Sequence, residues 1–176
     1  MKRVTLLFSV YSAAGFILLS VVYLLLKAIK LAIYGESGLV FGSLFRMFMY
    51  HEQHPYQYLL LIAIIYGCIA APWSYYVGRS LKRWKRAVSI VGVMLLTVLV
   101  SSAPGGMLWV LHDAQAGFFP RMSQFWRALW WGAIAGFQLG WLIFLLSTPY
   151  NAICLCCGYW LTDYVEKRLR RSVQLS

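Results

Sequence analysis

Long apolar runs separated by short basic stretches dominate the chain. Val4–Leu26 carries no charge, and Tyr56–Val77 is a second such run. A third extends from Ala87 to Leu111, and a fourth from Ala128 to Ser147. An α-helix needs about 20 apolar residues to cross a hydrocarbon core of about 30 Å. The pattern therefore predicts an all-α integral membrane protein: a single bundle over residues 1–176 with spans at about 4–26, 56–77, 87–111 and 128–147. No Ser-, Pro- or acid-rich linker and no internal repeat divides it.

Three segments depart from simple spans. Leu39–Tyr50 places Ser43, Arg46 and Tyr50 on one helical stripe, with Phe41, Leu44, Phe45 and Phe48 opposite. That predicts a short helix lying in the outer interface. The third run contains Pro104, Gly105 and Gly106. Proline removes a backbone hydrogen bond and glycine weakens the next turn, so a kink or a break is expected there. The fourth run continues to Tyr164, too far for one crossing, and Ser147–Asn151 with Pro149 is its natural break. Residues 152–170 then read as an amphipathic helix on the cytoplasmic surface. Ile153, Cys157, Trp160, Leu161 and Tyr164 share one face of it; Asn151, Thr162, Glu166 and Arg170 lie towards another.

Composition agrees with lipid as solvent. Hydrophobic residues make up 61% of the chain and charged residues 12%, against about 45–50% and about 25% in soluble domains. The net charge of +11 does not require nucleic acid. The basic residues sit at the ends of apolar runs, where they anchor helices and meet anionic lipid. Met1-Lys2-Arg3 and the following apolar run resemble a signal peptide, with Ser12-Ala13-Ala14 as a cleavage-like site. The run continues beyond the length of a signal core, so a retained first span is expected.

With the N-terminus inside, eleven of the 16 basic residues are cytoplasmic: Lys2, Arg3, Arg79, Lys82, Arg83, Lys85, Arg86, Lys167, Arg168, Arg170 and Arg171. Lys27, Lys30, Arg46, Arg121 and Arg127 are then outside. The positive-inside rule favours this arrangement, with both termini cytoplasmic in a plasma membrane. Arg79 to Arg86 and Lys167 to Arg171 become the expected contacts with anionic headgroups. Trp109, Trp126, Trp130 and Trp131 mark the outer side; Trp73, Tyr75, Tyr76 and Trp84 mark the inner.

Small residues recur at every fourth position: Ala63, Gly67 and Ala71 in the second run, and Gly132, Gly136 and Gly140 in the fourth. Four residues apart is one helical face, and without bulk there two backbones approach closely. The ladders predict packing within the bundle or, alternatively, association with a copy or a partner.

All three histidines fall on the expected outer side. His51-Glu52-Gln53-His54 and His112-Asp113 offer imidazole and carboxylate groups suited to zinc or copper, or to proton chemistry. The plainer explanation is that polar residues gather at membrane interfaces. Cys154, Cys156 and Cys157 at the expected inner interface, and Cys68 within the second span, read as small buried thiols.

The expected span interiors carry no Asp, Glu, Lys, Arg or His, and no nucleotide-binding glycine loop or GxSxG nucleophile is present. The pattern therefore points to a non-catalytic protein acting by helix–helix interaction, as an accessory, assembly or regulatory subunit without a cofactor. Two alternatives stand beside it. One is a transport component with its pathway at the Pro104 and Pro149 breaks. The other is a membrane enzyme or metal protein using His51, Glu52, His54, His112 and Asp113.

Overall fold

A computed structural model describes residues 2–34, 55–78, 80–118, 121–146 and 148–174. Helix α1 is Lys2–Tyr34 and α2 is Pro55–Pro72, continued by a π-helical turn at Trp73–Gly78. Helix α3 is Arg83–Gln115, α4 is Met122–Leu146 and α5 is Thr148–Gln174. Every regular element among the described residues is helical, as isolated apolar segments require in lipid, where each backbone group must find its partner inside its own helix. Three helical stretches are long and apolar enough to cross a membrane: Arg3–Leu25, Tyr56–Gly78 and Arg83–Gln115.

Helices α1 and α2 form one antiparallel pair, α3 and α4 another, and α2 packs on α3. The core includes Leu7, Tyr11, Tyr66, Ala70, Ala71, Val93 and Met94. Phe8, Ile69 and Leu155 close around it. Much of the outer surface is apolar. Ile17, Val88 and Trp130, for example, are 62%, 63% and 70% exposed, which water would penalise and lipid does not.

Pro72 explains the π turn that follows it. Its ring cannot donate to the preceding turn, and the ladder widens by one residue downstream. Pro104 behaves differently, since α3 continues through it to Gln115. Of the two outcomes expected at Pro104-Gly105-Gly106, the helix does not break. The hydroxyls of Ser101 and Ser102 donate to the carbonyls of Val98 and Leu99 in the turn before the proline. Pro149 falls in the first turn of α5, where a missing N–H costs nothing, and α4 ends before it at Leu146.

Helix α5 turns a different face inward from the one its apolar residues suggest. Gly158, Thr162 and Glu166 are buried against the bundle, while Trp160 and Tyr164 are 77% and 57% exposed. Leu155, Leu161 and Val165 pack on the core beside these polar groups, so the inner face of α5 is mixed. The interfacial helix expected at 39–50 lies outside the described residues.

Candidate functional site

The two small-residue ladders do not meet. Gly67 lies against Phe8 and Ser12 of α1, so that a Cβ on Gly67 would stand 3.0 Å from the Phe8 carbonyl oxygen and overlap the Ser12 hydroxyl. Ala63 and Ala71 are fully buried in the same helix. On the other side of the bundle, Gly132 and Gly136 of α4 face Ser102, Gly106 and Val110 of α3. A Cβ on Gly106 would overlap the Gly132 carbonyl oxygen and lie 3.1 Å from the Gly136 Cα. Gly105 faces α2, where a Cβ would come within 2.9 Å of the Tyr58 ring. The Pro-Gly-Gly segment, expected to break the helix, thus supplies one glycine to each of two neighbours. Gly140 continues the α4 ladder in sequence, but its surroundings lie outside the described residues.

The main polar constellation lies at the other end of α3, where α1, the π turn, α3 and α5 converge. Arg86, whose side chain is 12% exposed, reaches two carboxylates. Its Nη2 donates to Asp163 Oδ1 at 2.5 Å, and its Nη1 lies 3.3 Å from Oε2 of Glu166, which is 1% exposed. Lys167 Nζ holds the other Asp163 oxygen at 2.6 Å, one turn along α5. Gly158 makes room for Met94, whose sulfur a Cβ there would overlap. A Cβ on Gly78 would stand 3.2 Å from the Trp73 ring and in ordinary contact with Glu166 Oε1 at 3.4 Å.

A hydrogen-bonded relay adjoins the ion pairs. The Thr162 hydroxyl donates to the Gly158 carbonyl at 2.7 Å, so Tyr66 is the donor in its own 2.7 Å bond to Thr162. Tyr66 packs edge-on against Tyr11, with ring centroids 5.6 Å apart. The Tyr11 hydroxyl, the Trp73 indole nitrogen and the Ser74 hydroxyl are also buried here, without a hydrogen-bond partner among the described residues. Burial alone would push the Asp163 carboxyl up. The Lys167 hydrogen bond and the charges of Arg86 and Lys167 outweigh it and hold the group below the ordinary 3.8.

From the sequence, Thr162 and Glu166 fall on the second face of the 152–170 helix and Arg86 among the expected headgroup contacts. The spacing Gly158, Thr162, Glu166 was a visible clue, because it is a small-to-polar stripe at four-residue intervals. The partner of that stripe was not visible. Arg86 is 77 residues away from Asp163, and only the fold brings them together.

Of the other expected site residues, Lys82, Arg83, Lys85 and Arg168 lie exposed at the same end of the bundle. The Arg168 guanidinium reaches the Tyr164 hydroxyl at 3.2 Å. Arg79 lies outside the described residues, as do the side chains of Arg170 and Arg171. His51, Glu52 and His54 also lie outside them, as does the His112 ring, while Asp113 sits in the last turn of α3. Among the described residues no three His, Cys, Asp or Glu side chains converge as metal ligands. No disulfide joins the four cysteines, and Cys68 and Cys156, expected to be buried, are exposed on the outer faces of their helices.

Comparison with protein-family models, with curated proteins and with solved structures gives no match for this chain.

Proposed function

We propose that this chain is a four-span plasma-membrane protein with both termini in the cytoplasm. It acts by helix–helix interaction, as an accessory, assembly or regulatory subunit of a larger membrane complex. The observation that carries the interaction reading is the position of α4. This helix packs chiefly on α3, along the seam of Gly132 and Gly136. Its other faces present Trp126, Trp130, Trp131 and Phe137 at 61%, 70%, 58% and 49% exposure. A helix held on one side only leaves these faces open to lipid or to a neighbouring transmembrane helix, and the second is the interaction proposed.

Geometry supports the span count and orientation as well. Gly136 lies beside Ser102 and Gly132 beside Val110, so α4 retraces α3 antiparallel at backbone contact. A membrane crossed by α3 is then crossed by α4 too. The start of α1, the start of α3 and the end of α5 lie at one end of the bundle. Phe8 touches Gly67, and Lys167 shares Asp163 with Arg86. The three basic clusters therefore share one side, the side the positive-inside rule makes cytoplasmic.

The close Gly106–Gly132 contact supports the interaction reading over a transport pathway beside Pro104. For the interaction reading, a photo-crosslinking residue replaces Trp130 in the full chain in native membranes. Discrete protein adducts are expected there, with none from Ile17 on α1. Lipid adducts alone at Trp130 would refute the interaction role. For orientation, Arg83→Cys should be protected from an impermeant external thiol reagent and Gln115→Cys should be labelled, in a chain lacking its four native cysteines. The opposite pattern would invert the topology.

A further inference from the structure

The first turn of α3 and the second half of α5 enclose a cleft of about 730 Å³. Arg86 and Asp163 are its half-buried members, Arg83 and Lys167 its exposed cations, and Trp84 and Tyr159 its aromatic surface. Three cations line the cleft, and two carboxylates face them: Asp163 in the lining and Glu166 behind it. Asp163 is divided between Arg86 at 2.5 Å and Lys167 at 2.6 Å, and Glu166 lies 3.3 Å from Arg86. Arg83 makes no ion pair among the described residues. The cleft therefore keeps one cation beyond those its acids balance, a planar guanidinium with paired donors at its mouth. The first turn of a helix adds a field of the same sign.

Phosphate is the anion this arrangement fits, since its oxygens accept from a guanidinium fork and an ammonium together. Two sources share that chemistry: a lipid headgroup and a free phosphate. The surroundings favour the lipid. Trp84 is 65% exposed beside the cleft, and Trp160 is 77% exposed on the neighbouring helix. Indole rings settle at the headgroup level, with apolar helix surface continuing below them. The volume lies within the range of about 300–1,000 Å³ typical of small-molecule sites.

We propose that the α3–α5 cleft binds the phosphate of an anionic membrane lipid, with Arg83 and Lys167 as its exposed contacts beside the ion-paired Arg86. This rests on the reading above that this end of the bundle lies at a membrane surface. Bound this way, the lipid bridges α3 and α5 and makes the packing of α5 sensitive to the composition of the leaflet.

The test uses the full chain in mild detergent, titrated with dioleoylphosphatidylglycerol or dioleoylphosphatidylcholine and read by native mass spectrometry. Arg83→Gln and Lys85→Gln remove the same charge one turn-fraction apart, and only Arg83 lines the cleft. Arg83→Gln is expected to weaken phosphatidylglycerol binding roughly tenfold, and Lys85→Gln less than about twofold, with phosphatidylcholine binding weak throughout. Arg83→Lys, which keeps the charge, should recover part of the loss and guards against a folding artefact. Inorganic phosphate at about 10 mM should not displace the lipid, because it lacks the apolar anchorage. Equal losses in the two glutamine variants would assign the effect to the diffuse basic surface and overturn the cleft. Displacement by inorganic phosphate would overturn the lipid as the source. Failure of the wild-type chain to enter phosphatidylcholine vesicles at all would instead remove the membrane reading on which the proposal stands.

Discussion

Arg86→Gln is the sharpest test of how the bundle is held closed. Arg86 is the cation that meets Glu166, a carboxylate 1% exposed at the junction of α1, α3 and α5. Removing one member of a buried pair leaves the other charge uncompensated, which costs about 3–5 kcal/mol. At about 1.4 kcal/mol per tenfold, that is roughly two to four decades in the folding equilibrium. Asp163 suffers less, because Lys167 still holds it at 2.6 Å. Glu166→Gln is the informative contrast. There Arg86 keeps Asp163, so the loss is about 1–3 kcal/mol, the scale of a buried polar group imperfectly satisfied. Replacing both partners together, Arg86→Leu with Glu166→Leu, should recover most of the stability, since a buried ion pair is often no better than well-packed apolar residues. The assay is denaturation of the purified chain in mixed micelles with sodium dodecyl sulfate, followed by the fluorescence of its 8 tryptophans. The reasoning fails if Arg86→Gln costs no more than Glu166→Gln. It fails equally if the double leucine variant is less stable than Arg86→Gln alone.

Two further outcomes follow from the same geometry. Gly106→Ala should destabilise by about 1–3 kcal/mol, because its Cβ meets backbone that cannot rotate away. Gly92→Ala, with nothing within 4 Å of its Cβ, should stabilise α3 by up to about 1 kcal/mol, and equal effects in the same micellar titration would remove the seam. Asp163 is held below its ordinary 3.8 when folded, so its contribution is complete above that value and is lost as pH falls through the lower folded value. Asp163→Asn should therefore differ most in stability from wild type above about pH 4 and converge with it at more acid pH, and a difference that grows on acidification would contradict the ion pairs.

Much of the fold was legible because the bilayer leaves few choices. A run such as Val4–Leu26 or Tyr56–Val77 must become a helix, since no other short element satisfies its backbone in hydrocarbon. The four-residue spacing of Ala63, Gly67 and Ala71, and of Gly132 and Gly136, likewise marks faces where backbones approach. The same letters did not say which helix would come against them. Each ladder packs on the helix that precedes it in the chain, Gly67 on α1 and Gly132 and Gly136 on α3. Pro104-Gly105-Gly106 shows how local rules mislead. Isolated from its neighbours this tripeptide weakens a helix, but beside Tyr58 and Gly132 its lack of side chains lets three helices pack closely.

The sequence by itself determined the solvent, the helical class, the approximate bounds of the apolar helices and the clustering of basic residues at their ends. All of these follow from the composition of contiguous residues and the thickness of a bilayer. Tertiary structure alone decided which way α5 faces and what its charges do. Thr162, Asp163 and Glu166 look like a water-facing stripe until Tyr66 and Arg86 arrive from helices 96 and 77 residues earlier in the chain. Amphipathicity names two faces of a helix but not the medium each one meets. The energy of the inward charges depends on partners that no local pattern encodes.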